Sequence, residues 1–146
     1  KREIMETVAP LGPVYQAGTL SGNPVAMAAG LAELRTLRDT PGFYEELHRK
    51  SQMLFEGMRE ILKKAGSPFQ INAAGSLGCL FFTDQEVRDY ASAKTSDSSA
   101  YAQYFSHMLN RGIYLAPSQF EAMFVSAALT EEEIGKTLQA VQCFFT

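Results

Sequence analysis

The sequence of 146 residues contains no tryptophan and only two cysteines, Cys79 and Cys143. Each cysteine lies in an apolar run without the spacing of metal ligands, so we expect buried, reduced thiols in preference to a disulfide. The longest apolar stretches, such as Leu77 to Phe82, are far too short to cross a bilayer. The sequence therefore lacks the features of a disulfide-rich secreted protein and of a membrane-spanning one.

Neither basic nor acidic residues are in large excess. The formal net charge is -3, which gives no electrostatic reason to expect nucleic acid or an anionic membrane surface as a partner. The first residues, Lys1 to Met5, carry neither an initiator methionine nor an apolar export segment, so we expect them to lie inside a longer protein. The cytoplasm, or an organelle interior such as the plastid stroma, is the expected location.

The first part of the sequence predicts helices separated by a long loop. Lys1 to Ala9 has apolar residues at helical spacing, and Pro10 to Gly22 is rich in proline and glycine. Asn23 followed by Pro24 is a typical helix start, since asparagine caps and proline suits the first helical position. A second amphipathic helix is predicted from Thr40-Pro41 to Gly66.

The remainder predicts a small α+β domain whose helices cover one face of a sheet. Strands are expected at 69–73, 77–83, 113–116 and 123–128, with a loop at 92–99. A helix is expected from Asp97 or Ser98 to Gly112, and Thr130 with Glu133 forms the capping box of the last helix. We expect residues 1–38 to belong to a preceding domain and residues 39–146 to form the small domain.

The segment Tyr15 to Pro24 is the most informative for function. It is a glycine-containing loop that leads into a helix N-terminus, where amide donors and the helix dipole favour an anion. Thr19 or Ser21 could add a hydroxyl donor. The segment lacks the Gly-Lys-Ser/Thr ending of a nucleotide P-loop. On the residues alone, a phosphate site and an ordinary capped loop both remain open.

Three stretches of the sequence carry a resemblance to a known family. They are Gly12 to Pro24 (GPVYQAGTLSGNP), Pro41 to Leu47 (PGFYEEL) and Gly112 to Ala122 (GIYLAPSQFEA). Together they resemble the class III aminotransferases, which have the type I pyridoxal-phosphate (PLP) fold, and the APSQFE run points to the glutamate-1-semialdehyde aminomutase branch. One departure is Leu129, which stands where the family commonly has histidine.

The resemblance implies specific site residues. Thr19 would reach the PLP phosphate of the partner subunit, with Gly18 and neighbouring amides in the same pocket, which implies a homodimer. Glu121 would lie near the active site; the alternative is a surface carboxylate at a strand end. The fold implied is the C-terminal small domain of the type I fold, preceded by the loop and helix that join it to the large domain.

The implied activity is the isomerisation of glutamate 1-semialdehyde to 5-aminolevulinate for tetrapyrrole synthesis. PLP enzymes hold the cofactor through a lysine. None of the six lysines lies at the end of an apolar strand in a glycine-rich setting, so we expect no catalytic residue here and an inactive isolated chain. The alternatives are another class III aminotransferase, of the ω-amino acid or acetylornithine type, and a non-catalytic α+β dimerisation module.

Overall fold

A computed structural model describes all 146 residues and divides them into two compact units, Lys1–Pro41 and Gly42–Thr146. None of its helices is both long enough and apolar enough to cross a membrane.

The first unit contains two helices and a loop. Helix α1 spans Arg2–Met5 and helix α2 spans Pro24–Asp39. Helix α2 begins as predicted, because the Asn23 side chain accepts hydrogen bonds from the amides of Val25 and Ala26. Neither helix has a buried residue within this chain. The apolar face of α2 is therefore available to cover, or be covered by, other protein.

The second unit is an α+β domain. Its elements are α3 (Phe43–Lys64), β1 (Gln70–Ala74), β2 (Leu77–Phe81), α4 (Tyr90–Ala93), α5 (Ser98–Leu109), β3 (Met123–Phe124) and α6 (Glu131–Phe145). The strands form one antiparallel sheet in the order β1-β2-β3, in which Gln70 pairs with Phe81 and Gly78 with Met123. Helix α3 begins two residues later than expected, because Gly42 at its N-cap has the left-handed conformation.

One hydrophobic core joins α3, α5, α6 and the sheet. Phe82, directly after β2, lies at its centre with 2% of its surface exposed. Its ring centroid is 4.7 Å from that of Phe69 and 5.5 Å from that of Tyr104. Leu129, the departure from the family pattern that was expected here, packs against the same core.

The predicted strand at 113–116 is wrong. Gly112 adopts a positive φ of 78° at the end of α5, and the amide of Ile113 bonds back to the carbonyl of Met108. The carbonyl of Ala116 accepts a hydrogen bond from the Tyr101 hydroxyl. The backbone groups of Ile113 and Ala116 thus form hydrogen bonds with α5 and with the Tyr101 side chain, and the segment pairs with no strand.

The predicted strand at 123–128 is reduced to the two residues of β3, because Ser126 turns the chain. The Ser126 carbonyl accepts from the amide of Leu129, and the Ser126 hydroxyl accepts from the amide of Ala128. The predicted loop at 92–99 is also shorter than expected, since α4 and α5 extend into it from both ends.

The capping box at the start of α6 is confirmed. The amide of Thr130 donates to a Glu133 carboxylate oxygen at 2.7 Å, and the amide of Glu133 donates to the Thr130 hydroxyl at 3.2 Å. The bond from the Thr130 amide lowers the pKa of Glu133, because it stabilises the ionised carboxylate.

Both cysteines are free, but the expectation that both are buried is wrong for one of them. Cys143 is exposed on α6, whereas Cys79 is half-buried in β2. An apolar run does not determine which face of a helix a single residue occupies.

Lys50, on helix α3, is largely buried. Its side chain is only 14% exposed, and Nζ donates a 2.8 Å hydrogen bond to the carbonyl of Ala127. This bond ties α3 to the segment that follows β3.

We expect Lys50→Met to destabilise the second unit by about 1–2 kcal/mol, since the apolar stem is kept and one charged hydrogen bond is lost. The measurement is the urea dependence of amide protection in α3. The matched control is Lys63→Met on the exposed end of the same helix. Equal protection in the two variants would contradict the assignment of a stabilising role to the Lys50 bond.

Candidate functional site

The loop from Gly18 to Asn23 is folded into two tight turns. The amide of Ser21 donates to the carbonyl of Gly18 at 2.9 Å, and the amide of Asn23 donates to the carbonyl of Leu20 at 3.1 Å. These bonds hold the loop directly before the first turn of α2.

Several donors of this loop are unused within the chain. The amides of Gly18, Thr19, Leu20 and Gly22 bond to no carbonyl of this chain. The hydroxyl groups of Thr19 and Ser21 belong to exposed residues and are likewise unengaged. Adjacent free amides and hydroxyls are the donors that a phosphate group takes in proteins.

The contribution of the α2 N-terminus is smaller than the sequence suggested. Pro24 has no N–H group, and the next two amides are already bonded to the Asn23 side chain. Any anion at this loop therefore takes its hydrogen bonds from the residues before the helix.

Gly18 permits a close approach within the loop. A Cβ atom at this position would lie 2.3 Å from the Ser21 hydroxyl oxygen. A side chain at this position would make the exposed Ser21 hydroxyl turn aside. The loop fits a phosphate-bearing cofactor on its donor groups.

Glu121 lies in the second unit, in the turn before β3. It is exposed, and its carboxylate makes no hydrogen bond or ion pair within the chain. Its amide donates to the carbonyl of Ser118 at 3.1 Å, which closes a tight turn. The carboxylate is therefore available to a ligand, while its backbone is held.

Two side chains anchor the segment that carries Glu121. The hydroxyl of Tyr101 donates to the carbonyl of Ala116 at 2.5 Å, and the Cys79 thiol contacts the carbonyl of Glu121 at 3.8 Å. Burial raises the pKa of Tyr101 above its ordinary value, and the ionised forms of Cys79 and Glu121 raise it further. Tyr101 therefore stays protonated and remains a donor to Ala116.

An open groove of about 240 Å³ runs along the sheet beside this segment. Asn72, Phe81 and Ala122 contribute to its lining. The Asn72 side chain is fixed there, because its Nδ2 atom donates a hydrogen bond to the carbonyl of Val87 at 2.8 Å. The groove places an apolar wall next to the turn that presents the Glu121 carboxylate.

The lysines occupy structural or surface positions. Lys94 lies 5.8 Å above the ring of Tyr90, and Lys136 is paired with Glu132 at 2.7 Å. His107 donates from Nε2 to the carbonyl of Ala140, and its Nδ1 accepts from the Arg111 guanidinium. The structure contains no group of three or more histidine, cysteine or acidic residues that could hold a metal ion.

The structure brings Gly18 and Thr19 together in one loop of the first unit, whereas Glu121 belongs to the second unit. The sequence did not reveal Tyr101 as an anchor, because its partner Ala116 is a backbone group that no side-chain pattern reports.

Comparison with known proteins defines the family. The profile of the class-III aminotransferases matches residues 1–143, and the chain belongs to this family. Two curated relatives are more specific. Glutamate-1-semialdehyde 2,1-aminomutase 1 of Lachnoclostridium phytofermentans is 56% identical over 144 residues, which are 99% of this chain and 34% of the relative. The glutamate-1-semialdehyde 2,1-aminomutase of Acetivibrio thermocellus is 55% identical over 145 residues, which are 99% of this chain and 33% of that relative.

Solved structures agree on the fold. An omega-transaminase from Sphaerobacter thermophilus superposes with a TM-score of 0.79 at 27% identity, over 99% of this chain and 33% of that protein. The FumI protein of Sphingopyxis sp. MTA144, solved with PLP, superposes with a TM-score of 0.70 at 26% identity, over 90% of this chain and 29% of that protein. The chain therefore has the expected α+β part of the PLP transaminase fold, and it spans about a third of the length of the curated relatives it matches.

Proposed function

We propose that the intact protein containing this chain is a PLP-dependent isomerase that converts glutamate 1-semialdehyde into 5-aminolevulinate, a precursor of tetrapyrroles. The observation that carries the proposal is the identity of 55–56% to glutamate-1-semialdehyde 2,1-aminomutases over 99% of the chain. By contrast, the omega-transaminase structure shares 27% identity. The sequence difference therefore favours the aminomutase over the other class III activities.

The proposed cofactor site in this chain is the loop at Gly18 and Thr19. When bound, PLP supplies an electron sink that takes up the electron pair of a bond broken at the amino-bearing carbon. The Thr19 hydroxyl and the free amides around it would hold the phosphate group. A neutral hydroxyl suits this position, because it donates to phosphate without adding a charge that would compete with the cofactor's lysine.

We propose that Glu121 acts near the reacting amino group of the substrate. Its exposed carboxylate on a held backbone can accept hydrogen bonds from an ammonium group or tune a nearby proton transfer.

Glu121→Gln is accordingly expected to lower turnover by about 10- to 100-fold with the fold intact, since the amide cannot act as an anionic acceptor or base. The measurement is kcat of the intact protein together with its far-UV circular dichroism. The control is Glu132→Gln, which changes an exposed carboxylate on α6. Wild-type kinetics in the Glu121 variant would make this residue a bystander.

The remainder of the catalytic machinery is proposed to lie outside this chain. No lysine here has a setting suited to the cofactor, so the isolated chain is expected to be inactive. Residues 1–38 would be the end of the large PLP domain, and residues 39–146 the small domain. The exposed apolar side chains of α2, such as Val25 and Leu34, support its packing against protein outside this chain.

A homodimer is part of the proposal. A loop with several hydrogen-bond donors unused within its own unit suits a role toward the phosphate of a partner subunit. The cytoplasm, or the plastid stroma in a photosynthetic eukaryote, is the proposed location of this biosynthetic step.

The test is to incubate the intact protein with PLP and glutamate 1-semialdehyde in the absence of any other amino donor. The proposal expects 5-aminolevulinate to form, because the amino group moves within one molecule. Amination of 2-oxo acids without 5-aminolevulinate would instead indicate another class III aminotransferase. A folded protein that gains neither absorbance near 400 nm nor stability from added PLP would indicate a non-catalytic dimerisation module.

A further inference from the structure

The segment from Ala116 to Glu121 is attached at two points, one in α5 and one in the residue before its N-cap. The Tyr101 hydroxyl holds the carbonyl of Ala116, and the Gln119 side chain donates from Nε2 to the carbonyl of Ser96 at 3.4 Å. Ser96 directly precedes Asp97, the N-cap of α5. The segment is therefore attached to α5 and to the residue before its N-cap, and not only to its own turn.

Gln119 is unusual among the residues of this segment because it is buried, with 4% of its surface exposed. Its Oε1 atom is buried without a hydrogen-bond partner, and so is the hydroxyl oxygen of Ser96. A methionine of similar length would fill this space without burying an unpaired carbonyl oxygen. Packing alone therefore gives no reason for an amide at this position.

A tight backbone turn connects Gln119 to Glu121. Both line one small cavity of about 10 Å³, together with Tyr101 and Cys79. Between them the chain turns tightly, because the Ser118 hydroxyl accepts from the amide of Phe120 and the Ser118 carbonyl accepts from the amide of Glu121. A shift of the Gln119 side chain would thus move the backbone that carries Glu121.

We infer that Gln119 is a positioning residue, which holds the Glu121 carboxylate in place through its buried bond to Ser96. The inference rests on the proposed role of Glu121 near the substrate. It adds a residue that sets the geometry of that carboxylate without contacting the substrate itself.

The experiment uses the intact protein with four forms: wild type, Gln119→Met, Glu121→Gln and the double variant. The first readout is hydrogen–deuterium exchange of residues 116–124 without substrate. The second is the single-turnover absorbance change of bound PLP on addition of glutamate 1-semialdehyde and, separately, of an ω-amino acid. The control is Gln103→Met, the same replacement at an exposed position of α5.

Gln119→Met is expected to speed exchange in residues 116–124 and to slow turnover at saturating substrate by about tenfold, since small displacements of an active-site group have effects of this size or larger. The affinity for PLP is expected to stay unchanged. In the Glu121→Gln background, Gln119→Met is expected to slow turnover less than twofold further, because the group that it positions is already lost. Gln103→Met is expected to match wild type in both readouts.

Unchanged exchange in Gln119→Met, or the same fold loss of turnover in both backgrounds, would overturn the inference. If Gln119→Met does not fold, Gln119→Leu removes the same amide with another apolar side chain, and the same two criteria apply to it. If the wild type reacts with the ω-amino acid but not with glutamate 1-semialdehyde, the proposed substrate is wrong. The comparison of the four forms with the ω-amino acid then still decides the role of Gln119.

Discussion

Replacing Thr19 by valine in the intact protein is expected to weaken the retention of PLP by about 5- to 30-fold. Valine has nearly the shape of threonine but no hydroxyl group, so the change removes one hydrogen bond to a charged phosphate, which contributes about 1–2 kcal/mol. Thr19 is exposed and bonds to nothing else in its own chain, so the folded loop should be unaffected. The measurement is a titration of the resolved apoprotein with PLP, followed by absorbance near 400 nm.

Two further variants separate a phosphate contact from a general effect on this unit. Thr19→Ser keeps the hydroxyl and should retain most of the affinity. Thr36→Val removes a hydroxyl that bonds to the carbonyl of Ala32 within α2, and it should leave PLP binding unchanged. An unaltered PLP affinity in Thr19→Val would remove Thr19 from the candidate site and leave the phosphate loop without its side-chain donor.

Local chemistry explains what the sequence could predict. The caps at Asn23 and at Thr130 with Glu133 were predictable because each involves groups at most three residues apart in the chain. The α+β fold class and the order of the main helices follow from similar short-range patterns. No tertiary information is needed for any of these features.

Long-range contacts explain the failures. The stretch 113–116 is apolar enough for a strand, but a strand requires a neighbour, and here Tyr101 takes the place of one. Lys50 is drawn to a carbonyl 77 residues away, which a helical pattern cannot report. Tyr101, an anchor of the Glu121 segment, was missed for the same reason, since it acts on a backbone group.

The candidate site shows a further limit. The residues alone favoured an ordinary capped loop over a phosphate site at Thr19, and the resemblance to the class III family selected the phosphate site. The structure adds that Asn23 already occupies the first amides of α2, so the donors lie in the loop. The phosphate that would accept these hydrogen bonds is not part of this chain. No contact within the chain could therefore identify the donors.

The largest stability effect is expected at Phe82, whose ring is surrounded by other aromatic rings. The centroids of five of them lie within 6.3 Å of its own: Phe69, Tyr101, Tyr104, Phe144 and Phe145. Phe82→Ala is expected to destabilise the second unit by about 3–5 kcal/mol, because it removes a buried ring and leaves a cavity that a rigid core fills only in part. The measurement is the urea concentration at which the amides of α3 and α6 lose protection from exchange in the intact protein.

Phe124→Ala is the matched control, since Phe124 lies in β3 of the same sheet but is 72% exposed. It should change the free energy of unfolding by less than about 1 kcal/mol, as is usual for surface substitutions. Phe82→Leu should fall between the two, because leucine refills part of the cavity. If Phe82→Ala and Phe124→Ala lost protection at the same urea concentration, Phe82 would not be the centre of the core that holds α3, α6 and the sheet together. The Glu121 turn would then owe its position to local hydrogen bonds and not to the packing beneath it.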